Sequence, residues 1–166
     1  GNSGIQAGSV SLLARDVSTI DALAQAASIA AGIGGVGVAS ALSQSLAENT
    51  ITSQVQASIT NATLTTTSGN VGVVADESAE IEATTQAASL AVGLGGAAGV
   101  AVTGAGAKAN NTILTNTNAF VSGSTLVSAG DVVIESNNDS LIHATIIAAA
   151  VSVAVSGTAG VGASIG

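Results

Sequence analysis

Two short glycine motifs are the first candidates for chemistry in this sequence. Residues 32–37 read Gly-Ile-Gly-Gly-Val-Gly and match the G-x-G-x-x-G pattern of dinucleotide-binding turns. Such a site needs a helix after the motif and an acidic residue about 20 positions further on. The next acidic residue, Glu48, lies only 11 residues after Gly37. Because that context is missing, we expect a structural turn and no cofactor site.

The second motif, at residues 162–166, reads Gly-Ala-Ser-Ile-Gly and matches the G-x-S-x-G nucleophile elbow of hydrolases. A serine nucleophile of this kind needs a histidine as its base. The only histidine, His143, aligns with Asp21 and Glu82 at a polar strand position, which is typical of an exposed surface residue. The sequence therefore predicts no catalytic residues and no enzyme.

Acidic and amide side chains form the third candidate, a corner that could bind Ca²⁺ weakly through its oxygen atoms. Its members do not recur in every copy of the sequence pattern, and no Asp-rich nonapeptide is present. We therefore favour a solvated turn and predict no metal site. The residues concerned are Asp16, Asp76, Glu77, Asn137 and Asp139.

A short T-x-T row, formed by Thr63, Thr65 and Thr67, is the fourth candidate. Flat threonine arrays can bind ice, but the matching positions of the next copy are Thr125, Val127 and Ala129. A strand formed by β-branched residues is the better interpretation. A glycan- or ice-binding module stays open as an alternative function.

The element that positions all of these residues is a repeat. Similar segments begin at Gly8, Gly69 and Gly130, 61 residues apart. We interpret residues 1–166 as one array, with repeats at about 8–68, 69–129 and 130–166, the third incomplete. We expect it to be a piece of a longer array, and arrays usually provide length or surface.

Composition limits the kind of core and partner. Only 7% of the residues are charged, against roughly 25% in typical domains. Phe120 is the one aromatic residue, cysteine is absent and the net charge is −8. A core without large side chains must be thin and made by close backbone approach. The scarcity of Lys and Arg disfavours binding to nucleic acid.

The alternation of residues indicates strands, and the fold class we predict is an all-β solenoid of stacked coils with a thin Ala/Gly/Ser/Val core. We expect a turn at residues 76–78 and tight turns with positive φ at Gly34-Gly35 and Gly95-Gly96. Strands after position 88 are apolar on both faces, which predicts burial on both sides. Amide ladders are expected in the columns Gln25/Gln86 and Asn49/Asn111. Whether a repeat forms two coils or contains a hairpin is left open.

Two uncharged runs, at residues 22–47 and 83–107, are longer than the roughly 20 residues of a membrane-spanning helix. They lack aromatic belts and basic flanks, and they alternate like strands. We favour strands, and a membrane-inserted Gly/Ala-rich segment stays an alternative.

Four segments, VGVVADESAEIEA, AASLAVGLGGAAGVAV, NNTILTNTNAFV and GDVVIES, give the chain a family resemblance. It resembles the repeats of large bacterial filamentous adhesins, the leukotoxin-type and haemagglutinin-like passengers of type V secretion. The resemblance implies a rod-like extracellular or cell-surface segment, an adhesin stalk or fibre subunit without catalysis. The partners we expect are further copies, joined end to end or laterally, and host or surface glycans.

Overall fold

The computed structural model describes residues 3–166 and consists of β-strands without a helix in that range. This confirms the all-β prediction. Alternating side chains and many β-branched residues favour extended backbone along most of the chain. The strands are β1 (Ser3–Ala7), β2 (Val10–Thr60), β3 (Ala62–Thr66), β4 (Val71–Ser122), β5 (Thr125–Val127), β6 (Val132–Ser156) and β7 (Ala159–Ile165).

Two sheets connect these strands. One has the order β2-β4-β6, with β7 pairing with β4, and the other has the order β1-β3-β5. The strands pair in parallel. Ala98 of β4 is the partner of Ala159 in β7, and Thr63 of β3 is the partner of Thr125 in β5. Long parallel strands in such sheets form a solenoid-like fold, as predicted.

The chain divides into two compact units. The first unit contains residues 3–20 together with Thr50–Glu80 and Thr112–Leu141. Its core is built from branched aliphatic and alanine side chains, and burial of their apolar surface stabilises it. The fully buried members of that core include Leu64, Val71 and Val73.

The second unit contains Asp21–Asn49, Ile81–Asn111 and Ile142–Gly166. Its buried core cluster consists of alanines: Ala39, Ala41, Ala91 and Ala101. Side chains this small allow two backbone layers to approach closely, as the sequence predicted. Ser45 bridges the two halves of β2 by donating a hydrogen bond to the carbonyl oxygen of Ala24, at 2.8 Å.

The chain folds back inside this second unit, and at some of its glycines another backbone segment lies very close. A Cβ atom at Gly93 would lie 2.5 Å from the carbonyl oxygen of Val100. In a straight strand Gly93 and Val100 would be about 23 Å apart at 3.3 Å per residue. The prediction of positive φ at Gly34-Gly35 and Gly95-Gly96 is wrong, since none of these glycines has a positive φ. Close backbone approach accounts for Gly95, where a Cβ atom would collide with the carbonyl oxygen of Ala98.

Positive φ occurs instead where two long strands end. Asn61, with φ of 51°, follows the end of β2, and Gly123, with φ of 59°, follows the end of β4. Asparagine and glycine are the residues that adopt this conformation most readily.

Two further predictions are wrong. Asp76, Glu77 and Ser78 do not form a turn, because they lie inside β4 and continue its alternation of buried and half-buried residues. The apolar strands of the second unit are buried on one face only. Ile29 is 79% exposed and Leu42 is 80% exposed, although their neighbours along the strand point inward.

Candidate functional site

The G-x-G-x-x-G motif lies in β2 and is followed by more strand. A dinucleotide site would need a helix whose N-terminus faces the phosphates. Gly37, the last residue of the motif, is buried, and a side chain there would collide with the carbonyl oxygen of Leu94 on the neighbouring strand. The glycine is explained by packing between strands.

The serine of the hydrolase-like motif and its candidate base lie on different strands. Ser164 lies in β7, whereas His143 lies exposed in β6. Within residues 3–166 no hydrogen bond joins their side chains, and neither residue contacts an acid in the manner of a triad.

The acidic corner is split between the two faces of the strands in the first unit. Asp76 faces outward, where its carboxylate pairs with Arg15 at 3.4 Å. Asp16 accepts a hydrogen bond from Ser18 at 2.9 Å, and Glu77 points inward. In the part of the chain that the structure describes, no three His, Cys, Asp or Glu residues lie close enough together to hold a metal ion.

Glu77 is the chemically most unusual residue of the first unit. It is 1% exposed, and its carboxylate accepts one hydrogen bond from the Ser53 hydroxyl and one from the Thr117 hydroxyl, the latter at 2.9 Å. Both donors are half-buried. Buried carboxylates are tolerated only with such partners, because desolvation of the charge is costly.

The same inward position in the next strand, Asn138, donates a hydrogen bond to Thr115 at 2.6 Å. Polar side chains facing each other therefore connect opposite layers of the first unit at this level. The turn predicted at residues 76–78 gave no inward position to Glu77 and so missed this arrangement. The signal was present in the sequence, because the period-two run through Val73, Ala75 and Ile81 places Glu77 on the inner face.

Amide ladders form in the second unit as predicted. Gln25 donates to Gln86 at 3.0 Å, and Asn49 donates to Asn111 at 2.8 Å. Identical residues thus lie one above another on neighbouring strands. Such ladders fix the register of parallel strands, since a shift by one residue would break every pair.

Inside the second unit several hydroxyl groups are buried without a hydrogen-bond partner among the described residues. A hydroxyl buried in this way costs about 1–3 kcal/mol. Each must therefore be compensated by the close packing around it. They belong to Ser28, Ser43, Thr85, Ser89, Thr103 and Ser156.

The threonine row does not form a flat array. β3 ends at Thr66, so Thr67 lies outside it, and the strand partners of Thr65 are Gln6 and Val127. Thr63 and Thr65 are half-buried. Thr63 and Thr65 therefore belong to an ordinary parallel strand pairing within one sheet.

The second unit exposes large aliphatic side chains on its two outer surfaces, while its buried core cluster consists of alanines. Ile29 and Ile33 are each 79% exposed on one outer surface, and Leu42 is 80% exposed on another. An apolar groove of about 330 Å³ lies on the first of these surfaces, beside Ile29. Contiguous exposed apolar surface of this kind marks interaction sites.

No family model, curated protein or solved structure matches the chain. Among residues 3–166 no helix has the length and apolar character needed to cross a membrane.

Proposed function

We propose that the chain is a structural segment of an extracellular bacterial filamentous protein, an adhesin stalk or a subunit of a self-assembling fibre. The observation that carries this proposal is the stacking of long parallel strands whose like residues pair, as Gln25 does with Gln86. Each added strand extends such a stack by about 4.8 Å and adds a full row of backbone hydrogen bonds. The product of the arrangement is length and stiffness.

Two features support a structural role over catalysis. The candidate nucleophile and base, Ser164 and His143, lie on different strands, and among residues 3–166 no hydrogen bond joins their side chains. In the first unit the buried carboxylate of Glu77 is held by the Thr117 hydroxyl and is unavailable to a substrate. A stalk requires such internal cross-links between its layers.

Edge strands provide a route to assembly. β2 and β6 are at the two ends of the strand path β2-β4-β6. An edge strand presents unpaired N–H and C=O groups that a further strand can bind. We propose that neighbouring repeats or copies add at these edges and extend the stack.

The proposal is tested by imaging the purified chain and the parent protein from which it comes. Electron microscopy should show rods, and X-ray diffraction from aligned material should show a reflection near 4.8 Å along the rod. Circular dichroism should show β-structure without helix. Antibodies raised against the chain should label intact cells that produce the parent protein. Compact round particles, or labelling only after cell lysis, would contradict the proposal.

A further inference from the structure

One outer surface of the second unit combines a groove with two ridges. The groove is a column of exposed alanines, and the ridge beside it is a column of larger aliphatic residues. A second ridge runs nearer to the fold-back of the chain and is formed by Ile33, Leu94 and Val155, exposed by 79%, 39% and 54%. We name this surface the aliphatic face; its groove is lined by Ala27, Ala88 and Ala149, and its first ridge is formed by Ile29, Leu90 and Val151.

We infer that the aliphatic face binds the aliphatic face of a second copy of this chain. This inference deepens the proposed structural role and rests on it, because it specifies how neighbouring stacks associate laterally. The partner is identified by the shape and the charge of the face.

Shape favours a second copy because the face complements itself. When two copies face each other with their strands antiparallel, a twofold axis beside position 30 puts Ile33 of one copy over Ala27 of the other. On the adjacent strands the same axis puts Leu94 over Ala88 and Val155 over Ala149. Every member of the second ridge then enters the groove of the partner, in the interdigitating manner of packed sheets.

The axis of this pairing runs parallel to the direction in which strands stack. Each strand therefore meets its own counterpart, β2 with β2 and β4 with β4. An interface of this kind is isologous, so one surface serves both partners. It also extends without change when further strands are added, which suits a fibre.

Charge favours the antiparallel arrangement over a parallel one. Asp21 and Glu82 border the face on the side away from the fold-back and are exposed. Parallel strands would bring the acids of two copies to within about 10 Å, the spacing of packed sheets. Antiparallel strands separate the two Asp21 residues by about 60 Å at 3.3 Å per residue, far beyond the screening length of roughly 8 Å.

Charge also argues against a lipid surface as the occupant. The chain has two basic residues, Arg15 and Lys108, and a net charge of −8. Attraction to anionic lipid needs clusters of Lys or Arg beside the apolar face. The acids that border this face would instead repel such a surface.

The area of the face permits only a weak dimer of this chain. In the pairing above residues 27–33 of the two copies overlap, and seven positions at 3.3 Å each and three strands at 4.8 Å give about 330 Å² per copy. The two copies together bury about 670 Å², which is below the usual size of specific interfaces and typical of a weak contact. We therefore expect pairing at high protein concentration and stronger pairing in longer arrays.

Sedimentation of charged variants tests the interface. The wild-type chain should form dimers at high concentration, and Ile33→Asp should weaken their association by about tenfold or more, because a carboxylate would enter the alanine groove. Leu42→Asp is the matched control: it adds the same charge at a residue 80% exposed on the other outer surface, against 79% for Ile33. It should leave the dimer intact. Circular dichroism checks that both variants keep their strands.

Cross-linking tests the antiparallel geometry, since the chain has no cysteine of its own. A mixture of Ala27→Cys and Ile33→Cys chains should be joined by a short bismaleimide, whereas each variant alone should be joined far less. Joining of Ala27→Cys to itself would overturn the antiparallel pairing.

Other outcomes would overturn the inference and leave the proposed function in place. One is rods with β-structure that never associate laterally. Another is a dimer that Leu42→Asp breaks and Ile33→Asp does not. A third is a wild-type chain that sediments with phosphatidylcholine vesicles and forms no dimers. Absence of rods and of β-structure would instead contradict the proposed function itself.

Discussion

Replacing Gly93 by alanine should destabilise the protein, because the second unit depends on close approach of two backbone layers. A Cβ atom there would lie 2.5 Å from the Val100 carbonyl oxygen, whereas ordinary contacts begin at 3.4 Å. The layers must therefore move apart locally by nearly 1 Å. Overpacking of this kind costs about 1–3 kcal/mol, and the lower entropy of the unfolded alanine variant returns about 0.4–1 kcal/mol. A backbone atom cannot rotate away, so we expect a net loss of about 2 kcal/mol.

Gly106→Ala provides the matched control, since Gly106 lies in the same strand and no other atom lies within 4 Å of the place that an alanine methyl group would take. This variant should be more stable than the wild type by about 0.5 kcal/mol, because alanine restricts the unfolded chain. The assay is urea unfolding followed by circular dichroism, with the midpoints of the three proteins compared at equal slope. Equal midpoints for Gly93→Ala and Gly106→Ala would refute the close approach of the layers.

Three other substitutions test individual contacts in the same unfolding assay. Glu77→Ala should cost about 3 kcal/mol, because two half-buried hydroxyl donors lose their acceptor and the buried side chain leaves a cavity, whereas Glu77→Gln keeps an acceptor and should change stability by less than about 1 kcal/mol; similar losses for both would contradict this network. Thr103→Val should stabilise the protein by about 1 kcal/mol, since it removes an unpartnered buried hydroxyl at nearly constant volume, and a loss of stability would show that the hydroxyl is bonded. Arg15→Ala should change stability by less than about 0.5 kcal/mol because its ion pair with Asp76 is exposed, and a larger effect that persists in 1 M salt would exclude a screened surface pair.

Much of the fold could be predicted because its signals are local and are repeated along the chain. Period-two alternation identified the strands, and the absence of large side chains indicated a thin core. Repetition then identified which residues lie over one another. The pairs Gln25/Gln86 and Asn49/Asn111 were predicted from alignment alone and form hydrogen bonds.

The errors arose where residue type was given more weight than position. Asp76 and Glu77 have side chains that favour turns, yet the alternation of the strand continues through them and places Glu77 inside. Hydroxyl partners distant in the sequence, Ser53 in β2 and Thr117 further along β4, make that burial possible, and no local pattern reveals them. Gly95-Gly96 were assigned to positive φ for the same reason, although neither residue has it and the backbone of Ala98 leaves no room for a side chain at Gly95.

The assignment of burial on both faces failed for a reason that concerns function. Alternation shows that a strand has two faces, and hydrophobicity usually shows which of them is buried. In the second unit both faces are apolar, and side-chain size decides between them. The layers approach closely at the buried alanines Ala39, Ala41, Ala91 and Ala101, and Ile29, Ile33 and Leu42 lie on the outer faces. A core made of the smallest side chains therefore produces a surface made of larger apolar ones, and a protein built this way gains by covering that surface with another copy.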